Sequence, residues 1–137
     1  MRQPMMLIAL SALGACASPL PPVDPKQAWV DLYTMTPGRV IMADKLDGKR
    51  LSDGRYFQVT PGKHELVVRF DYEIYAGGMM TQPRDRTCYL TVRFDDFKAG
   101  ERYRLEARAP VMEPQVLLYD ASRKVVVNEP SNVFCIP

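Results

Sequence analysis

Three stretches of this chain alternate apolar and polar residues with a period of two. In KHELVVRFDY (63–72), Leu66, Val68, Phe70 and Tyr72 fall on one side and Glu65, Arg69 and Asp71 on the other, with Val67 the exception. In TCYLTVRFD (87–95), Cys88, Leu90, Val92 and Phe94 alternate with Tyr89, Thr91, Arg93 and Asp95. In ERYRLEAR (101–108), Tyr103, Leu105 and Ala107 alternate with Arg102, Arg104, Glu106 and Arg108. Successive side chains of a strand point to opposite faces, so this pattern makes half-buried strands and lays no continuous stripe along a helix. Shorter strand candidates are 29–33, 39–43, 56–59, 115–119 and 124–127. Asp47-Gly48, Asp53-Gly54, Pro61-Gly62 and Ala99-Gly100 punctuate them, and Asp-Gly supplies the positive φ that tight hairpins need. No stretch of ten or more residues combines helical periodicity with caps. The expectation is an all-β chain, a single antiparallel β-sandwich or small barrel of seven or eight strands over residues 28–137.

The first residues obey a different logic. Arg2 precedes a short apolar run from Met5 to Leu13, broken only by Ser11, and Gly14 and Ala15 then precede Cys16. A charged start, a short apolar segment and small residues form the pattern of a secretory signal, too short for the ~20 residues of a membrane-spanning helix. The tetrapeptide LGAC (13–16) resembles the lipobox of bacterial lipoproteins, with the two small residues placed for cleavage and Cys16 next. That resemblance implies removal of residues 1–15 and lipid attachment at Cys16. Each buried methylene adds ~0.8 kcal/mol, so two or more acyl chains hold a protein stably on a membrane. Ala17, rather than Asp, follows Cys16; by resemblance to Gram-negative sorting, this favours the outer membrane, facing the periplasm. Residues 17–27, ASPLPPVDPKQ, carry four prolines. They read as a stiff tether over 16–27, reaching roughly 30 Å at ~3.1 Å per residue.

Cleavage would leave 122 of the 137 residues, one domain's worth. Only Arg2 would be lost from 18 Lys and Arg, leaving 17 against 16 Asp and Glu. Charges of both signs are interspersed with no basic stripe, which argues against a nucleic-acid partner. With Cys16 lipidated, Cys88 and Cys135 remain. An exported domain meets an oxidising compartment where a disulfide persists, so these two are expected to pair. Cys88 shares the apolar face of its strand, and the bond would pin the C-terminal tail to the sheet. A metal would need more ligands, and His64 is the lone histidine; no metal and no cofactor are expected.

Residues 39–72, RVIMADKLDGKRLSDGRYFQVTPGKHELVVRFDY, run strand, Asp-Gly turn, short strand, then TPGKHEL into a long alternating strand. This order resembles the PEGA-type module of envelope β-domains. YLTVRFDDFKAGERYRLEA (89–107) resembles a companion segment of uncharacterised bacterial lipoproteins. The resemblance covers about half of the mature chain. It implies a transthyretin-like or Ig-like sandwich in the envelope and carries no active site.

Side chains able to do chemistry are sparse. His64 follows a Pro-Gly turn and is expected to cap a turn or pack on a neighbour. No serine sits in G-x-S-x-G, and no second histidine exists to complete a triad. Asp95-Asp96 diverge as strand neighbours. Asp44, Asp47 and Asp53 bracket tight turns without calcium-loop spacing. Arg84, Arg86, Arg93, Arg102, Arg104 and Arg108 interleave with carboxylates, as expected of cross-strand pairing on a solvated face. The stretch YAGGMMTQP (75–83) stands out. It exceeds the two to five residues usual for a hairpin connection and carries Tyr75, Met79 and Met80 as adaptable apolar contacts. It is the candidate partner-binding loop; the alternative is a loop that folds its own methionines back on the end of the sandwich. The chain thus reads as a non-catalytic outer-membrane lipoprotein that binds or scaffolds an envelope protein or polymer. The alternative is an inhibitor of a periplasm-directed enzyme such as lysozyme.

Overall fold

The computed structural model describes residues 18–75 and 82–136. Ten strands fill them: β1 Ala28–Tyr33, β2 Val40–Leu46, β3 Lys49–Arg50, β4 Tyr56–Val59, β5 Gly62–Ile74, β6 Arg84–Phe97, β7 Arg102–Arg108, β8 Gln115–Tyr119, β9 Val125–Val127 and β10 Asn132–Ile136. They form two five-stranded sheets, ordered β4-β1-β7-β8-β9 and β10-β6-β5-β2-β3. The fold is all-β, two sheets packed as a sandwich.

The alternating residues account for the core. Leu66, Val68, Phe70 and Tyr72 of β5 and Cys88, Leu90 and Val92 of β6 are buried, and they meet Tyr103, Leu105 and Ala107 of β7 with Val116 and Leu118 of β8. β5 and β6 form the longest ladder, from Gly62↔Phe97 to Ile74↔Arg84. Both strands are long because their alternation continues without a proline or glycine inside it.

Three features go beyond the sequence reading. The first corrects the antiparallel expectation for one pair: β1 runs parallel to β7, Trp29↔Arg102 through Tyr33↔Glu106, while its other edge pairs antiparallel with β4. Alternation is the same in either orientation, so it carries no information about direction. The second is the C-terminal tail, which is itself a strand, β10, paired with β6 from Asn132↔Thr91 to Ile136↔Thr87. The third concerns the proline-rich segment. Residues 18–24 run beside β4: Arg55 Nη1, just before that strand, donates to the Ser18 carbonyl at 2.8 Å, and the Asp24 N–H donates to Gln58 Oε1 at 3.3 Å. Cys16 and residues 1–15 lie outside the described residues, and no helix among the described residues is long and apolar enough to cross a membrane.

Candidate functional site

Three strand ends gather at one end of the sandwich. β1 ends at Tyr33 opposite Glu106, β7 ends at Arg108 opposite Gln115, and β5 ends at Ile74 opposite Arg84. The strand ends at Tyr33, Ile74 and Arg108 lie at the same end, where Tyr72 and Tyr75 reach Met112 across the two sheets. Tyr75, the first residue of the expected binding loop, is 54% exposed there. Its N–H approaches Met112 Sδ at 3.3 Å. A shallow cleft of about 190 Å³ lies between Tyr75 and the 34–39 connection, lined also by Thr36, Arg39 and Glu73. Met79 and Met80 lie outside the described residues.

The unexpected part of this end is Pro110–Met112, a single 3-10 turn. Val111 has φ 48° and Met112 φ 64°, two consecutive left-handed residues, neither glycine. A β-branched side chain is a steric outlier in that region. Val111 is also 91% exposed, so packing of its side chain does not offset the strain. The turn is held from below: the buried Tyr72 hydroxyl donates to the Met112 carbonyl at 2.9 Å. With Met35, which is 69% exposed, the end presents Met35, Tyr75, Val111 and Met112 to solvent. Sequence reasoning missed Val111 and Met112 because APVMEP reads as an ordinary loop; only the pair of positive φ values and the contact with Tyr75 single it out.

Cys88 and Cys135 are joined by a disulfide with Cα atoms 4.0 Å apart, directly opposite in the β6–β10 register. Cys88 is fully buried, so the bond faces inward.

His64 is tied down. Its Nδ1 lies 2.6 Å from Asp47 Oδ2, and its Nε2 lies 2.7 Å from the Thr60 carbonyl oxygen. Asp47 Oδ1 also accepts the Glu65 N–H at 2.8 Å. Desolvation pushes the Asp47 carboxyl up, but the Glu65 N–H and the His64 ring outweigh it and leave it below its ordinary value. Both ring nitrogens are held by oxygens of the chain itself. His64 thus clamps the β2–β3 turn to the start of β5. Among the described residues no three His, Cys, Asp or Glu side chains gather as a metal site.

The arginines pair as strand neighbours do. Arg102 grips Asp31 through Nε at 2.6 Å and Nη2 at 3.0 Å, and this hydrogen-bonded guanidinium holds the Asp31 carboxyl below its ordinary value. Arg93 reaches Glu65 at 2.8 Å, and Arg104 stacks over Tyr33 at 3.6 Å from the ring centre. Trp29 stacks on Tyr56 at 4.4 Å and donates Nε1–H to Asp31. Asp31, Arg102, Arg104, Tyr33, Trp29 and Tyr56 crowd the outer face of the β4-β1-β7-β8-β9 sheet, whereas Arg93 and Glu65 pair on the other sheet; a cleft of about 340 Å³ runs on that outer face between Arg102, Arg104, Tyr119 and Arg123. Asp31 and Arg102 already satisfy one another there.

No protein-family model, no curated protein and no solved structure matches the chain.

Proposed function

We propose that this chain is a lipid-anchored, non-catalytic binding protein of the bacterial envelope. On this reading it is attached to the outer membrane through Cys16, faces the periplasm, and grips or scaffolds an envelope protein or polymer with the loop end of its sandwich. The anchor half is supported by the LGAC stretch and the short apolar run before it. The binding half is carried by one observation, the strained and exposed Val111–Met112 pair beside Tyr75. Strain of this kind costs of order 1–3 kcal/mol per residue, persists only where the surrounding structure over-determines it, and clusters at ligand clamps and other functional sites. The apolar side chains it projects from a rigid sandwich would add contact area to a partner without ordering the scaffold first.

The test separates the two halves. Cys16→Ser should move the protein out of the membrane fraction; a variant that still sediments with outer membranes refutes the anchor. Tyr75→Ser with Val111→Ser should leave the melting temperature nearly unchanged, since both side chains are exposed. It should also lower recovery of a partner from envelope extract. A large drop in melting temperature with normal recovery refutes the binding end.

A further inference from the structure

An edge strand offers its backbone N–H and C=O groups to any strand that reaches it, and proteins blunt such edges with charge, shortness, bulges or cover. The outermost strands of the two sheets are β4, β9, β10 and β3. β3 is two residues long, both cationic, Lys49 and Arg50. β9 is three residues long, follows Lys124, and its ladder with β8 slips between Leu118 and Tyr119. β4 lies beside residues 18–24, tied to it through Arg55 and Gln58. β10 carries none of these devices among the described residues. Its five residues, NVFCI, hold neither charge nor proline.

The register shows which backbone groups face the open side. The Cα atoms of Cys88 and Cys135 are 4.0 Å apart. Antiparallel partners this close form a non-hydrogen-bonded pair, whose N–H and C=O groups point away from one another. Cys135 therefore directs both groups to the open edge, and by the period of two so does Val133. Between them Phe134 bonds to β6 and sends its ring to the outer face of the sheet, 61% exposed. Val133 and Ile136 are exposed as well.

We propose that β10 pairs with β10 of a second copy of this chain, antiparallel about a two-fold axis at Phe134, joining two five-stranded sheets into one. Self-complementarity selects this occupant. A two-fold contact sets the same strand against itself, so any charge near its centre would oppose its like, and β10 has none. Centring on Phe134 places Val133 against the partner's Cys135 and Cys135 against the partner's Val133. All four residues turn N–H and C=O toward the contact, so the pairs close without a register slip. Phe134 then meets the partner's Phe134 at a non-hydrogen-bonded position, where side chains approach most closely. The Cys88–Cys135 bond holds β10 on β6 beforehand, so little ordering remains to be done on association.

Sedimentation velocity of the full, oxidised chain in mild detergent, from micromolar to near-millimolar concentration, reads the association. The wild-type chain should dimerise. Val133→Pro removes an outward N–H and leaves the β6 ladder its bonds; Phe134→Lys sets two like charges together at the axis. Each should raise the dissociation constant at least tenfold with an unchanged melting temperature. A wild-type chain that stays monomeric, or a dimer that both variants leave intact, overturns the proposal. Amide exchange on the wild-type chain gives a reading independent of the variants' folding. The Val133 and Cys135 amides should slow as concentration rises. Slow exchange that ignores concentration would place another segment of the same chain on this edge, and fast exchange at all concentrations would leave it open; either result overturns the proposal.

Discussion

Val111 sits in the left-handed region at φ 48° and ψ 37°, with its side chain 91% exposed. For an L-residue with a β-carbon that conformation costs roughly 1–2 kcal/mol. The exposure means that replacing the side chain forfeits almost no burial. Val111→Gly removes the steric cost but loosens the unfolded chain by roughly 0.5–1 kcal/mol. The net expectation is a stabilisation of about 0.5–1 kcal/mol. Val111→Asn tolerates the same φ without the full glycine penalty and should gain about 1 kcal/mol. For a domain of this size such gains raise the melting temperature by roughly 2–5 °C. Urea unfolding followed by circular dichroism measures them, with an unchanged m-value showing that the unfolded reference has not moved. If the strain serves binding, partner recovery should fall in the same variants whose stability rises. A loss of 1 kcal/mol in both variants would refute the reasoning, because it would mean that the Val111 side chain packs or that its backbone is extended.

Other outcomes follow from the same geometry. Mass spectrometry without reductant should find the Cys88 and Cys135 peptides joined, and replacing both cysteines by alanine should cost about 2–4 kcal/mol in urea unfolding while leaving the β circular-dichroism signature. Tyr72→Phe removes the hydroxyl that holds the Met112 carbonyl; it should cost about 1 kcal/mol and weaken partner recovery, since the strained turn loses its support. The lowered Asp31 carboxyl makes an acid-side prediction. A carboxyl depressed in the folded state contributes its full stability above the unfolded value, near about pH 4, and loses it as pH falls through the lower folded value. The stability difference between wild type and Asp31→Asn, measured by urea unfolding across pH, should therefore be constant above about pH 5 and shrink below about pH 4. A difference that grows on acidification would contradict the Arg102–Asp31 assignment. This half-exposed pair is screened by solvent, so the effect is modest.

The strands that the sequence makes legible are those whose evidence is local. Leu66, Val68, Phe70 and Tyr72 share a face because a pleated backbone turns alternate side chains one way, whatever strand lies next to them. The same holds for Cys88, Leu90 and Val92, and for Tyr103, Leu105 and Ala107, and all three sets are buried. Placing Cys88 on the inward face by alternation was enough to give its bond to Cys135 a structural reason. The His64 ring, expected to cap a turn, holds both the Asp47 turn and Thr60. Neighbours in space were another matter. Closing a long loop costs only slightly more than closing a short one, so sequence separation does not say that β1 joins β7 or that direction reverses between its two partners. NVFCI carries too short an alternation to read as a strand, and it becomes one through the β6 edge that it covers. The gathering of Tyr75, Val111 and Met112, 36 residues apart in the chain, depends on which strand ends coincide. Alternation and turn chemistry by themselves determined the β class and the faces of the strands, because both arise within a few residues. The tertiary structure decided partners, direction, the strained end and the place of β10 at the edge of its sheet, because these are settled by packing between distant segments that no local pattern records.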